Sequence, residues 1–141
     1  MEDISLECYN KLMHLSWRII KQSRKNLANL GFAWNQYTVL KNINPEESIT
    51  LSELSIRTSK DCSNLTAIVD FLEKKELVKR NVDTRDRRAI RIQLTHKGKK
   101  VRKDTISQHE IFIHSLFDNI EDMEIQDFMG SIDIVNDKIN L

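Results

Sequence analysis

Along most of this chain apolar residues return every three or four positions, the spacing that lines one face of a helix. Ile4, Cys8, Leu12, Leu15 and Ile19 trace such a stripe, widened by Met13, Trp17 and Ile20, and predict one long helix over roughly residues 3–29 that stops near Gly31. A second helix is expected from Trp34 to Asn44, carrying Tyr37, Leu40 and Lys41, before Pro45 ends it. Thr50 and Glu53 have the spacing of a capping box, with Ile49 and Leu54 placed for a hydrophobic staple, so a short helix should follow over 51–58. Asp61 then caps a fourth helix. Its Leu65, Ile68, Val69 and Leu72 fall on one face, while Ser63, Thr66, Ala67 and Asp70 occupy the other with Asn64 at its edge.

The period changes after residue 76. Ile90, Ile92 and Leu94 alternate with Arg91 and Gln93, and "LVKRNV" before them reads as a partner strand, which predicts a β-hairpin. Its connection lacks the Asn-Gly of a tight turn, so a longer projecting loop is expected. A helix from Thr95 to about Asn119 begins basic and ends apolar, with Ile113, Leu116, Phe117 and Ile120 on one stripe; a last helix carries Ile125, Phe128, Met129, Ile132, Val135 and Ile139. The 141 residues suit a single domain, residues 1–141. The expected fold class is mainly α with a small β-hairpin wing.

The 22 basic and 21 acidic residues leave a net charge of +1, yet they are not mixed evenly. Residues 1–78 hold ten basic and ten acidic, 79–103 eleven and two, and 104–141 one and nine, so the segments carry 0, +9 and −8. A concentration of this kind suits a polyanionic partner, although a solvated basic surface balanced by an acidic one is the other reading. No apolar run approaches the ~20 residues a bilayer needs, and "MEDISLECYN" lacks the basic and apolar regions of a signal peptide, so a soluble cytoplasmic protein without membrane contact is expected. Cys8 and Cys62 lie far apart without a CxxC pair, which suits a reducing compartment and packed thiols. No nucleophile–base set, phosphate loop or paired carboxylate site stands out, so no enzymatic activity is expected and no cofactor. His109 and His114, five apart, point ~140° away from each other around a helix and do not form a chelating pair, so no metal is expected either.

A capped short helix, a three-residue turn, a helix with a polar outer face and a hairpin make up, in that order, a winged helix-turn-helix. A helix of this kind fits the major groove of duplex DNA, where base edges are distinguishable by hydrogen bonding. Ser63, Asn64 and Thr66 are the polar groups at its exposed N-terminal end, Asn64 being suited to a bidentate base contact and Ala67 to a thymine methyl. In the hairpin, "DTRDRRAIR" places four arginines within seven residues. Exposed ion pairs are worth only ~0–1 kcal/mol, so self-stabilisation is a weak reason for them. The concentrated negative potential of the minor groove is a stronger one. Asp83 and Asp86 would then act as buttresses, each holding a guanidinium in one rotamer.

On these residues the chain resembles the MarR family of transcriptional regulators over essentially its whole length. "DTRDRRAIRIQLTHKGKK" has the family's D-x-R-x-x-R pattern at Asp83, Arg85 and Arg88, followed by L-T-x-x-G at Leu94, Thr95 and Gly98. "FLEKKELVKR" and "GFAWNQYTVL" are similar to the family's end of recognition helix and start of helix two. Glu76 stands where the family usually has glycine, which suggests a different helix cap there.

The resemblance implies a homodimeric repressor or other regulator bound to a pseudo-palindromic operator. Residues of about 32–95 would form the DNA-binding part, and about 1–30 and 96–141 the helical dimerisation part. It makes Arg88 the minor-groove probe oriented by Asp86, with Arg85 and Arg87 on nearby phosphate or groove positions; Lys60, Lys79, Arg80 and Lys97 become phosphate candidates. It also implies a small-molecule effector in a cleft that His14, Trp17, Trp34, Tyr37 and Phe112 would line, unless these aromatics are simply core. Cys8, beside Tyr9, invites comparison with the family's thiol-based sensors. A winged helix that meets an acidic protein rather than DNA is the remaining alternative.

Overall fold

The structure is a computed structural model and describes residues 3–141. Helix α1 (Ile4–Asn29) is capped by Asp3, whose carboxylate accepts the Ser5 N–H at 3.0 Å. At its other end Gly31 adopts φ +96°, which lets the Phe32 N–H reach the Leu27 carbonyl at 2.9 Å and buries both side chains. Helix α2 (Trp34–Lys41) is shorter than the expected run to Asn44. Asn42 closes it by donating its amide to the Thr38 carbonyl at 2.7 Å. Pro45 disfavours helical geometry at Asn44, and the chain turns there, with the Asn44 N–H on the Glu47 carboxylate at 2.7 Å.

Strand β1 (Ile49–Thr50) runs into α3 (Leu51–Thr58), and α4 (Cys62–Lys74) follows after three residues. Then come β2 (Val78–Val82), β3 (Ile90–Leu94), α5 (His96–Ser115) and α6 (Asp122–Lys138). The hairpin is the expected one, but the sheet has a third member: its order is β1-β3-β2, all antiparallel, with Ile49 opposite Ile92 and Arg80 opposite the same residue on the other side. Two residues are too few to show a period, so only pairing reveals β1. Helix α5 ends four residues before the expected Asn119, in tight turns that place Ile120 N–H on the Phe117 carbonyl at 3.0 Å.

Glu76 corrects the expectation of a different cap. It keeps the left-handed backbone, φ +62°, that glycine ordinarily supplies. Its N–H reaches the Glu73 carbonyl at 2.8 Å and the Leu77 N–H reaches Leu72 at 2.9 Å, a Schellman closure sealed by the buried Leu72 and Leu77. The L-T-x-x-G stretch docks on this corner. Thr95 accepts the Gly98 N–H at 2.9 Å and donates its hydroxyl to the Glu76 carbonyl at 2.6 Å, while its own N–H reaches the Leu77 carbonyl at 3.0 Å. A Cβ on Gly98 would fall 1.8 Å from that Leu77 oxygen, so only glycine lets α5 start there.

Every fully buried hydrophobic side chain among the described residues lies between Leu27 and Leu94, so the core runs from the last turn of α1 to the end of β3. The N-terminal stripe of α1 and all of α6 apart from the half-buried Ile125 are exposed, including Ile4, Leu12, Phe128, Met129 and Ile132. Within one chain these apolar faces cover nothing.

Candidate nucleic-acid interface

Two caps aim the helix-turn-helix. Thr50 accepts the Glu53 N–H at 3.1 Å while the Glu53 carboxylate accepts the Thr50 N–H at 3.0 Å, the reciprocal box expected from the sequence. Ser59 takes a left-handed φ of +54° to end α3, and Lys60 N–H closes on the Ser55 carbonyl at 3.2 Å. Asp61 then accepts the Asn64 N–H at 2.9 Å and the Ser63 hydroxyl at 2.8 Å, bonds that hold its carboxyl below the usual carboxylate range. Arg57 anchors this unit to the α2–β1 turn through the Asn42 carbonyl at 2.8 Å and the Glu47 carboxylate, whose pKa it lowers.

Leu65, Val69 and Leu72 bury the inner face of α4, leaving Ser63, Asn64, Thr66 and Ala67 exposed together. Their side chains are not equally available. Ser63 donates to Asp61, and Thr66 donates to the Cys62 carbonyl at 2.8 Å, so both present mainly acceptor lone pairs outward. Among the described residues nothing engages the Asn64 amide, which keeps both donor and acceptor. Lys60 donates to the Asn35 side chain at 2.8 Å, tying the turn to α2.

The wing loop is braced differently from the expected buttress. Asp83 and Asp86 hold backbone rather than tip guanidiniums: Asp83 accepts the Arg85 N–H at 2.8 Å and Asp86 accepts the Arg88 N–H at 3.0 Å, two successive Asx turns. The second oxygen of Asp83 pairs with Arg91 Nε at 2.9 Å, and Arg91 Nη1 donates to the Ser48 carbonyl at 2.8 Å. The Arg85 N–H first, then Arg91, push the Asp83 pKa down. Arg85, Arg87 and Arg88 are exposed, and no described residue engages their guanidiniums.

Besides Lys60, two further phosphate candidates are engaged inside the chain. Arg80 grips Asp70 at 2.6 Å and Glu73 at 2.9 Å, and Lys97 donates to the Lys75 carbonyl at 3.1 Å at the end of α4. Lys79 is exposed. The Arg80 cluster escapes sequence inspection because its partners lie seven and ten residues away on another element; the signal was an acid on the outer face of a helix followed by an arginine early in the next strand.

The aromatic residues separate. Tyr37 is buried edge-on to His109, with ring centroids 5.2 Å apart, and Phe112 stacks on the same imidazole at 5.6 Å. His109 Nδ1 meets Asn26 Oδ1 at 2.9 Å, joining α5 to α1. Trp34 lines an open cavity of about 530 Å³ with Arg24, Ala28, Gly31, Phe32 and Ala33, and none of the other expected lining residues reaches it. His14 and Trp17 stand exposed on α1. Cys8 and Cys62 are both exposed free thiols, contrary to the expected packing, because Cys8 lies on the uncovered face of α1 and Cys62 opens α4. No helix among the described residues is long and apolar enough to cross a membrane.

This geometry has known counterparts. A model of the MarR family matches residues 32–90, from just before α2 to the start of β3. The chain is 29% identical over 121 residues to YsmB of Bacillus subtilis, an uncharacterised HTH-type transcriptional regulator, covering 86% of this chain and 83% of that protein. It is 29% identical over 117 residues to the HTH-type transcriptional regulator SarZ of Staphylococcus aureus, covering 83% and 78%. In fold it is similar to wild-type MarR from E. coli, with a TM-score of 0.74 at 23% identity over 96% of this chain and 98% of that one. With the helix-turn-helix, the three-stranded wing and the flanking helices all in place, residues 32–90 match the MarR family, and the chain as a whole is similar to HTH-type transcriptional regulators and shares the fold of MarR.

Proposed function

We propose that this protein acts as a homodimer on a pseudo-palindromic DNA operator, with α4 in the major groove and the wing in the adjacent minor groove. The observation that carries this reading is the contrast within the wing: Arg85, Arg87 and Arg88 present unengaged guanidiniums on a loop whose backbone Asp83 and Asp86 hold still. A preorganised cationic loop loses little entropy on entering a groove of high negative potential. Arg88 is the minor-groove probe, Arg85 and Arg87 serve neighbouring groove or phosphate positions, and Asn64 reads a base edge with Ser63, Thr66 and Ala67 around it.

The exposed apolar faces of α1 and α6 support the dimer. Contiguous apolar area of this kind marks an interface, and two-fold pairing would set two recognition helices one turn of DNA apart. A small-molecule effector would act where α1 and α2 meet, and the cavity beside Trp34 supports that placement.

The test is a salt titration on duplexes that the protein enriches from a random-sequence library. Counterion release predicts log K falling linearly with log salt, with a slope of about −0.9 for each phosphate neutralised. Sedimentation should give twice the 16.6 kDa chain mass. No affinity for any duplex at low salt overturns the reading.

A further inference from the structure

Asp70 stands one turn beyond Thr66 and two beyond Ser63, on the outer face of α4. A helix set in a groove would bring that carboxylate towards phosphate, and an unneutralised acid there repels the ligand. Arg80 of β2 meets it. Nη2 donates to Asp70 at 2.6 Å and lies 3.5 Å from the Thr66 carbonyl, while Nη1 donates to Glu73 at 2.9 Å. The Arg80 side chain is only 24% exposed. A planar guanidinium held at two ends has one orientation, so this contact fixes direction as well as distance.

We infer that Arg80 is a positioning residue for DNA recognition: clamped by Asp70 and Glu73, it sets the angle between α4 and the wing so that both enter neighbouring grooves in one pose. The inference rests on the proposed DNA reading. Its force comes from leverage. Arg85 lies five residues beyond Arg80, about 16 Å at the usual strand rise, so a rotation of about 10° at the seam would displace the wing tip by roughly 3 Å. That is about half the ~6 Å width of a minor groove. Arg91 makes the matching tie on the other edge, from Asp83 to the Ser48 carbonyl beside β1. The basic segment thus holds two kinds of arginine, those that brace the hairpin and those that project from it.

The experiment compares wild type, Arg80→Met and the double variant Asp70→Asn/Glu73→Gln on a library-selected duplex and on its scrambled sequence. Asp70 and Glu73 have side chains 62% and 44% exposed, so the double variant retains its fold, which a dichroism melt checks. As a strut, Arg80→Met lowers affinity for the selected duplex about tenfold or more and affinity for the scrambled one far less, with a salt slope changed by less than the ~0.9 of one phosphate contact. The double variant also loses affinity for the selected duplex, although it removes two negative charges. Equal losses on both duplexes with a slope reduced by ~0.9 make Arg80 a phosphate ligand and overturn the strut. A double variant that binds as tightly as wild type, or more tightly, overturns it as well. If wild type enriches no sequence, the DNA reading itself falls and the strut with it; enrichment with either overturning pattern sinks the strut alone.

Discussion

Asp83 grips Arg91 at 2.9 Å with one carboxylate oxygen and the Arg85 N–H at 2.8 Å with the other, so a single acid joins the wing loop to the strand that carries it. Asp83→Ala is therefore expected to leave the melting temperature nearly unchanged and to weaken operator binding about tenfold, because the wing loses its preferred shape before it meets DNA. Fluorescence anisotropy with a selected duplex measures this. Wild-type affinity in the variant would show that the loop needs no brace.

Arg88 and Asn64 should separate by what each loses. Arg88→Ala weakens binding most where the minor groove is narrow, whereas Asn64→Ala costs about 1–3 kcal/mol at one base pair and relaxes preference there. A base-substitution scan on both variants reads the difference. Unchanged base preference in Asn64→Ala would move the reading role to another residue of α4.

Glu76 holds a left-handed backbone that an L side chain adopts at a cost of roughly 1 kcal/mol. Its 4.0 Å approach to Lys97 is too exposed to compensate. Glu76→Gly should stabilise the fold by no more than about 0.5 kcal/mol in urea denaturation, because the greater freedom of glycine in the unfolded chain offsets most of the relieved strain.

Gly98 tells the opposite story. Gly98→Ala places a methyl against the Leu77 carbonyl, where the obstacle is backbone, so a loss of at least about 2 kcal/mol is expected by the same measurement. A neutral result would mean that the first turn of α5 can shift without disturbing the α4–β2 corner.

His109 is 4% exposed, and burial, then the Lys41 ammonium, hold its imidazole below the ordinary 6.5. The unfolded chain takes up a proton near that pH while the folded one does not until lower. The stability this residue contributes is thus complete above about pH 6.5 and falls as the pH drops from there towards the folded value. His109→Gln should flatten that part of the stability profile. A wild-type profile already flat between neutral pH and pH 5 would count against a buried neutral imidazole.

Much of this fold is legible locally. Thr50 with Glu53, Asp61 and Thr95 each announce a helix within four residues of the bond they make, and the alternation at Ile90, Ile92 and Leu94 marks the hairpin. Helix ends were less legible: Asn42 closes α2 ahead of Pro45, and α5 stops at Ser115 although its apolar stripe continues. Stripes report which face is buried, and an apolar turn can prolong one past the last helical residue. The Asp83, Arg85 and Arg88 pattern likewise located the wing without showing which atoms the aspartates hold.

The sequence by itself determined the order of the elements other than β1, the polar outer face of α4 and the concentration of positive charge near the wing, because caps, periodicity and charge density are properties of neighbouring residues. Only the tertiary structure decided that Arg80 and Arg91 turn inward while Arg85, Arg87 and Arg88 remain outward, that Glu76 accepts a left-handed backbone, and that His109 is buried against Asn26, Tyr37 and Phe112. Each of those outcomes depends on a partner brought close through space, by the packing of α4 on β2 or of α5 on α1 and α2. A guanidinium pairs with whichever carboxylate the fold delivers to it, and that distance is not written in the order of residues.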